Sequence, residues 1–159
     1  MKRIDATLAT VAGETAKPLA AKGCASGGVF ISEADASHAT LFTPLHYEAN
    51  YAYPLLIWLH GPGESEVQLR RLMPLLSLRN YVALGLRGTM PDAHVAGQTA
   101  YTWSQQPAHV SLAAERLSAG LALARQKCNI HAARIFLAGF ATGGTMAFRL
   151  ALLYPDQFA

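Results

Sequence analysis

A strand-like run passes without a spacer through a glycine-rich turn into a helix: Arg134-Ile135-Phe136-Leu137-Ala138, then Gly139-Phe140-Ala141-Thr142-Gly143-Gly144, then a helical stretch over Thr145–Leu153. Glycine lacks a Cβ, so glycines on both sides of Ala141 permit a sharp reversal that holds the central side chain over the end of the strand. Two more apolar runs precede it. Leu55-Leu56-Ile57-Trp58-Leu59 lies between Pro54 and His60-Gly61-Pro62-Gly63, and Tyr81–Leu86 follows it at one crossover's distance. Continuous apolar runs mark strands buried on both faces, hence a parallel sheet.

Helical spacings separate these strands. Val67, Leu69, Leu72, Met73 and Leu76 form one helix, which Pro74 is expected to kink or end. Val110, Ala113/Ala114, Leu117, Leu121 and Ala124 form the next, with Arg125 and Lys127 at its end where the helix dipole favours cations. Short β-rich runs at Val29–Ile31 and Ala39–Thr43 suit an antiparallel pair at the sheet edge. The expected fold is α/β, a three-layer α/β/α sandwich around a mostly parallel sheet, with strands near 29–31, 39–43, 55–59, 81–86 and 134–138. Residues 1–26 read as an N-terminal arm or a loosely packed first strand around Thr7–Val11, and 27–159 as a partial domain that stops after the turn helix.

Composition narrows the function classes. With 52% hydrophobic and 14% charged residues, the chain is not disordered in the main. The longest apolar runs fall short of the ~18–20 residues of a bilayer span, and no apolar leader segment follows Met1, so a cytoplasmic protein is expected. Cys24 and Cys128 form no metal-ligand pattern, so two free thiols, no metal and no cofactor are expected. A net charge of +3 from scattered arginines argues against a nucleic-acid partner.

The Gly139–Gly143 turn has the spacing of a nucleophile elbow. With His60-Gly61 after the preceding parallel strand, and with the wording LLIWLHGPGE and RIFLAGFATGGTMAFRLALLYPDQFA, the chain over about Leu41–Ala159 resembles the α/β-hydrolase superfamily, in its phospholipase/carboxylesterase branch. The resemblance implies an esterase scaffold in which an elbow serine attacks an ester carbonyl, helped by a histidine that an acid holds. It also implies an oxyanion hole built from the amide after the nucleophile, here Thr142, and the amide after His-Gly, here Pro62. Gly61, Gly63, Gly139 and Gly143 shape the backbone around it.

The chain departs from that pattern in three places. Ala141 stands at the nucleophile position and has no hydroxyl. Pro62 has no N–H to donate, although Gly63 is placed to shift into its role. The family order is nucleophile, acid, histidine, yet after Ala141 come only Asp156 and no histidine. His60 reads by resemblance as a structural turn residue, and His38, His46, His94, His109 and His131 as loop residues. The Thr142 hydroxyl is set aside as a substitute nucleophile, because at that elbow position the side chain points along the helix.

The resulting expectation is an esterase-like scaffold that is inactive as given. The alternative is a non-catalytic module that binds a small ester, acyl or apolar ligand in a pocket lined by His60, Phe140, Trp103 and Tyr101, under the long loop Arg87–His109. A phosphate-binding turn lacks support, since there is no Walker lysine and Gly-x-x-x-Gly-Gly is not a dinucleotide fingerprint. In the family's sheet another strand would cover Arg134–Ala138. Left bare, that edge is expected to drive self-association.

Overall fold

The computed structural model describes residues 30–33, 38–93 and 100–159. The N-terminal arm with Cys24, and also His94, lie outside the described residues. In chain order the elements are β1 (Phe30–Glu33), β2 (Ala39–Phe42), β3 (Tyr53–Leu59), α1 (Leu69–Leu76), β4 (Val82–Leu86), β5 (Met90–Pro91), β6 (Tyr101–Thr102), α2 (Pro107–Lys127), β7 (Ile130–Gly139) and α3 (Thr142–Leu153). The five-stranded sheet has the order β1-β2-β4-β3-β7. Strands β4, β3 and β7 run parallel, and β1 and β2 extend the sheet antiparallel beyond β4.

Apolar continuity explains the central strands. Leu55, Ile57, Leu59, Leu84, Leu86 and Ile135 face α2 and α3, where Val110, Ala113, Leu117, Leu121, Met146 and Leu150 bury against them. On the other face Phe42 and Ala83 pack with Leu69 and Met73 of α1, and Leu56 and Trp58 flank them. Helices on both faces give the three layers expected from the sequence. In register, Leu59 of β3 stands opposite both Leu86 of β4 and Gly139 of β7. The three parallel strands therefore end flush, and the turns that leave them lie side by side.

Several boundaries differ from the sequence reading, each for a local reason. Pro74 neither starts nor stops α1, which runs two residues past it. Helix α2 begins at Pro107, at the first helical position, where the missing N–H costs nothing. Strand β7 is ten residues long, because its start at Ile130–Arg134, where His131 and Arg134 interrupt the apolar run, continues alongside β3 through an irregularity between Tyr53 and Leu55. His109 and His131 accordingly lie in α2 and β7 rather than in loops, and the stretch 87–109 carries the β5–β6 hairpin. Cys128 is buried at the end of α2, with its Sγ 3.9 Å from the Thr43 hydroxyl. Among the described residues, β7 forms one edge of the sheet and β1 the other. Among the described residues no helix is long and apolar enough to cross a membrane.

Candidate active site at the end of the parallel strands

The reversal after β7 is as sharp as its glycines suggest. Ala141 adopts φ 49° and ψ −119°, a conformation L-residues rarely hold, and strain of this kind costs of order 1–3 kcal/mol. Three backbone bonds keep it there. The Phe140 amide donates to the Leu59 carbonyl at 3.1 Å, Gly143 to Phe140 at 2.9 Å and Thr145 to Ala141 at 3.1 Å. Helix α3 therefore starts at Thr142, three residues earlier than its apolar spacing indicates, with Gly143 and Gly144 inside its first turn. Gly143 sits against the carbonyls of Leu59 and His60, and a Cβ on Gly139 would lie 2.6 Å from the Gly143 backbone. Ala141 is exposed and Thr142 half-buried. Thr142 opens the helix, where an amide has no intrahelical acceptor and the dipole is positive.

The turn after β3 lies next to it. His60 is completely buried. Its Nε2 accepts the Gly88 amide at 2.9 Å, so the ring proton resides on Nδ1, which donates to the Gly61 carbonyl at 2.7 Å. Both ring nitrogens are thereby occupied. Burial pushes the His60 pKa below its ordinary 6.5, against smaller upward pulls from the Gly61 carbonyl and from Glu66 and Glu64. A native pKa below the unfolded one means that the unfolded chain takes up the proton first. Stability from this residue is therefore full above about pH 6.5 and declines as pH falls from there towards the lowered native value. We expect the urea midpoint to drop between about pH 7 and about pH 5, and His60→Gln to flatten that drop while losing about 1–3 kcal/mol at neutral pH. A pH profile identical in the variant would assign the slope to other groups.

The loop residues assemble around these two turns. Gly63, with φ 76°, donates its amide to the Tyr101 carbonyl at 3.2 Å, and Tyr101 donates to Glu64 at 2.8 Å. The Gly63 amide is thus committed to the loop and does not replace the N–H that Pro62 lacks. Pro62 itself is exposed. The Phe140 ring lies over Gly61, whose added Cβ would meet Phe140 Cδ1 at 2.9 Å, and the ring is 65% exposed. Trp103 corrects the expectation of a pocket wall: it belongs to the core and donates its indole N–H to the His60 carbonyl at 2.9 Å. Tyr101 is half-buried, with the Arg87 guanidinium 5.1 Å from its ring centroid.

Four residues at this end escaped the sequence reading. Arg87 forks onto the buried Glu66 carboxylate, with Nε 3.1 and 3.0 Å from its two oxygens. Arg116 from α2 donates to the carbonyls of Arg87 and Gly88, at 3.1 and 2.6 Å. Thr102 and Thr142 bring their hydroxyls to 3.3 Å, which joins the loop to the start of α3. These contacts span 21 to 40 residues of sequence and leave no periodic signal. The available hint is positional, since Arg87 directly follows a buried parallel strand.

The structure thus brings together Gly139–Gly143, His60–Gly63, Tyr101 and Thr102, and it places Trp103 behind them. Two depressions, of about 440 and about 410 Å³, are lined by other residues. Chemically, the arrangement offers a helix N-terminus and an aromatic edge beside a methyl group.

No protein-family model and no curated protein sequence matches the chain. Solved structures do. The chain is similar to a CE1 ferulic acid esterase from Anaeromyces mucronatus in complex with ferulic acid, at 15% identity and a TM-score of 0.56, over 76% of this chain and 48% of that one. The same esterase without substrate matches at 14% identity and a TM-score of 0.56, over 76% and 49%. The chain spans about half the length of these esterases. Its α/β fold, a mixed sheet with parallel strands at its centre and helices on both faces, is similar to that of these esterase structures.

Proposed function

We propose that this protein carries an esterase-like scaffold of the α/β-hydrolase type, related to carboxylesterases and phospholipases, in which Ala141 occupies the nucleophile position and no acyl-enzyme forms. The observation that carries this reading is the strained reversal at Ala141, φ 49° and ψ −119°, between a parallel strand and a helix N-terminus. Such a conformation is kept where it displays a side chain, and here that side chain is a methyl group. Two further features support it. Pro62 withdraws one oxyanion donor, a loss typically worth about 3–4 kcal/mol of transition-state stabilisation. His60, the histidine beside the turn, has no lone pair left to act as a base.

Restoring the hydroxyl tests this. Ala141→Ser is expected to leave hydrolysis of short p-nitrophenyl esters at background in this chain, because both ring nitrogens of His60 are engaged and Pro62 leaves only half an oxyanion hole. A burst of p-nitrophenol from the variant would overturn the proposal. The non-catalytic alternative keeps a small ester, acyl or apolar ligand at the same turn. Ferulic acid, the ligand of the similar esterase, is the probe for it, and saturable binding lost on Phe140→Ser would favour that alternative.

The proposal includes self-association along β7. Phe136 on this edge strand and Phe148 and Leu152 on α3 are exposed, and an uncovered apolar edge is a template for another chain. Light scattering is expected to show species above monomer mass, reduced by Phe136→Lys combined with Phe148→Lys. A strictly monomeric wild type would remove this part of the proposal.

A further inference from the structure

We infer that the end of the molecule opposite the Ala141 turn is a docking surface for an anionic membrane face. Helix α1 links β3 to the parallel β4, so it runs against the strands and delivers its last turn to their N-terminal ends. Three leucines project there within four residues. Leu75 is 83% exposed, Leu76 54%, and Leu78 is exposed as well. They sit on a fixed knuckle, because the Ser77 hydroxyl accepts the amides of Arg79 and Asn80 at 3.2 and 3.0 Å, and the Leu78 carbonyl accepts the Leu45 amide at 2.7 Å.

Charge identifies the partner. Arg79 directly follows Leu78 on the knuckle, whereas Arg70, Arg71 and Arg87 lie towards the other end of the strands. Glu64 pairs with Arg71 and Glu66 with Arg87. Among the described residues, no carboxylate pairs with Arg79 or with Arg134. These two guanidinium groups line a depression of about 410 Å³ at the base of the knuckle, together with Tyr51, Tyr81, Asn80 and Glu48. Arg134 lies 6.0 Å from the Tyr51 ring centroid and donates to the Ala52 carbonyl at 2.8 Å.

Exposed leucines bordered by tyrosines and arginines match the layering of a bilayer surface. Apolar tips enter the acyl boundary, tyrosines sit at headgroup depth, and guanidinium groups meet lipid phosphates. The Ala141 turn, at the other end of the sheet, stays open to solution.

Sedimentation of the full chain with phosphatidylcholine vesicles, with and without phosphatidylserine, tests the inference. Binding is expected to the phosphatidylserine vesicles, and to weaken with added salt. Leu75→Ser should reduce it by about tenfold and Arg79→Gln by about fivefold, whereas Phe148→Ser on α3 should leave it unchanged. All three side chains are exposed, and melting curves establish that the variants fold. Absence of binding to the phosphatidylserine vesicles, equal binding to phosphatidylcholine alone, or indifference to both Leu75→Ser and Leu76→Ser would overturn it. So would a Leu75→Ser variant that dissociates an oligomer without vesicle binding, because a second copy would then be what covers the knuckle.

Discussion

Gly143→Ala is expected to prevent the chain from reaching its native fold. A Cβ at this position would be driven into the carbonyls of Leu59 and His60, closer than real Cβ atoms come to any neighbour. Both obstacles are backbone at the end of a central strand, so no side chain can rotate away. Relief requires α3 to lift from β3 and β7, which would expose Met146, Ala147 and Leu150. Overpacking typically costs about 1–3 kcal/mol when side chains yield, and a backbone collision should exceed that range. Against a domain stability of about 5–15 kcal/mol, such a loss leaves little native protein at 37 °C. The neighbouring glycine supplies the control. At Gly144 an added Cβ would lie 3.2 Å from the Gly139 carbonyl, a tight but adjustable contact, and alanine improves helix propensity by about 1 kcal/mol. Gly144→Ala should therefore melt near the wild type. Near-UV circular dichroism and urea unfolding of the two variants decide the matter, and a Gly143→Ala protein as stable as Gly144→Ala would show that α3 does not pack this closely.

Glu66→Ala should cost about 3–5 kcal/mol, the typical penalty for removing one member of a buried ion pair. The Glu66 side chain is 4% exposed and that of Arg87 is 18%, and the pair is held by a fork of hydrogen bonds. Without the carboxylate, the Arg87 charge would face Arg116, whose own pKa is already lowered first by burial and then by Arg87. The damage should spread to the turn, because Arg87 leads into Gly88, which donates to His60. The exposed pair of Arg71 with Glu64 is the comparison, and surface pairs contribute about 0–1 kcal/mol. Urea midpoints are expected to fall much further for Glu66→Ala than for Glu64→Ala. Equal shifts would mean that water reaches the Arg87 guanidinium far more easily than its burial implies.

The parts of the fold that were legible in the sequence share a physical basis. Val82–Leu86 is buried at every position, and Leu55–Leu59 buries Leu55, Ile57 and Leu59 on one face and packs the half-buried Leu56 and Trp58 against α1 on the other, so both faces demand apolar residues and the strand appears as an unbroken run. The reversal at Ala141 was legible because glycine is the residue that allows a helix turn and a strand end to touch through their backbones. Element starts were less readable. Gly143 and Gly144 lower helix propensity, yet tertiary packing makes them the first turn of α3, and Pro107 opens α2 three residues before its apolar stripe. The mixed start of β7, Ile130–Arg134, forms strand because β3 lies alongside, whatever its own residues prefer.

At the candidate site the division is sharper. That Ala141 carries no hydroxyl and Pro62 no N–H are properties of single residues, and these the chain determines by itself. The tautomer of His60, the commitment of the Gly63 amide to Tyr101, the descent of Trp103 into the core and the Arg87–Glu66–Arg116 cluster were decided only by the tertiary structure. Each is a polar group whose partner lies on another segment, and burial obliges it to find that partner wherever the fold brings one within reach. Local sequence records which groups carry protons and lone pairs, whereas the three-dimensional arrangement selects which of them meet.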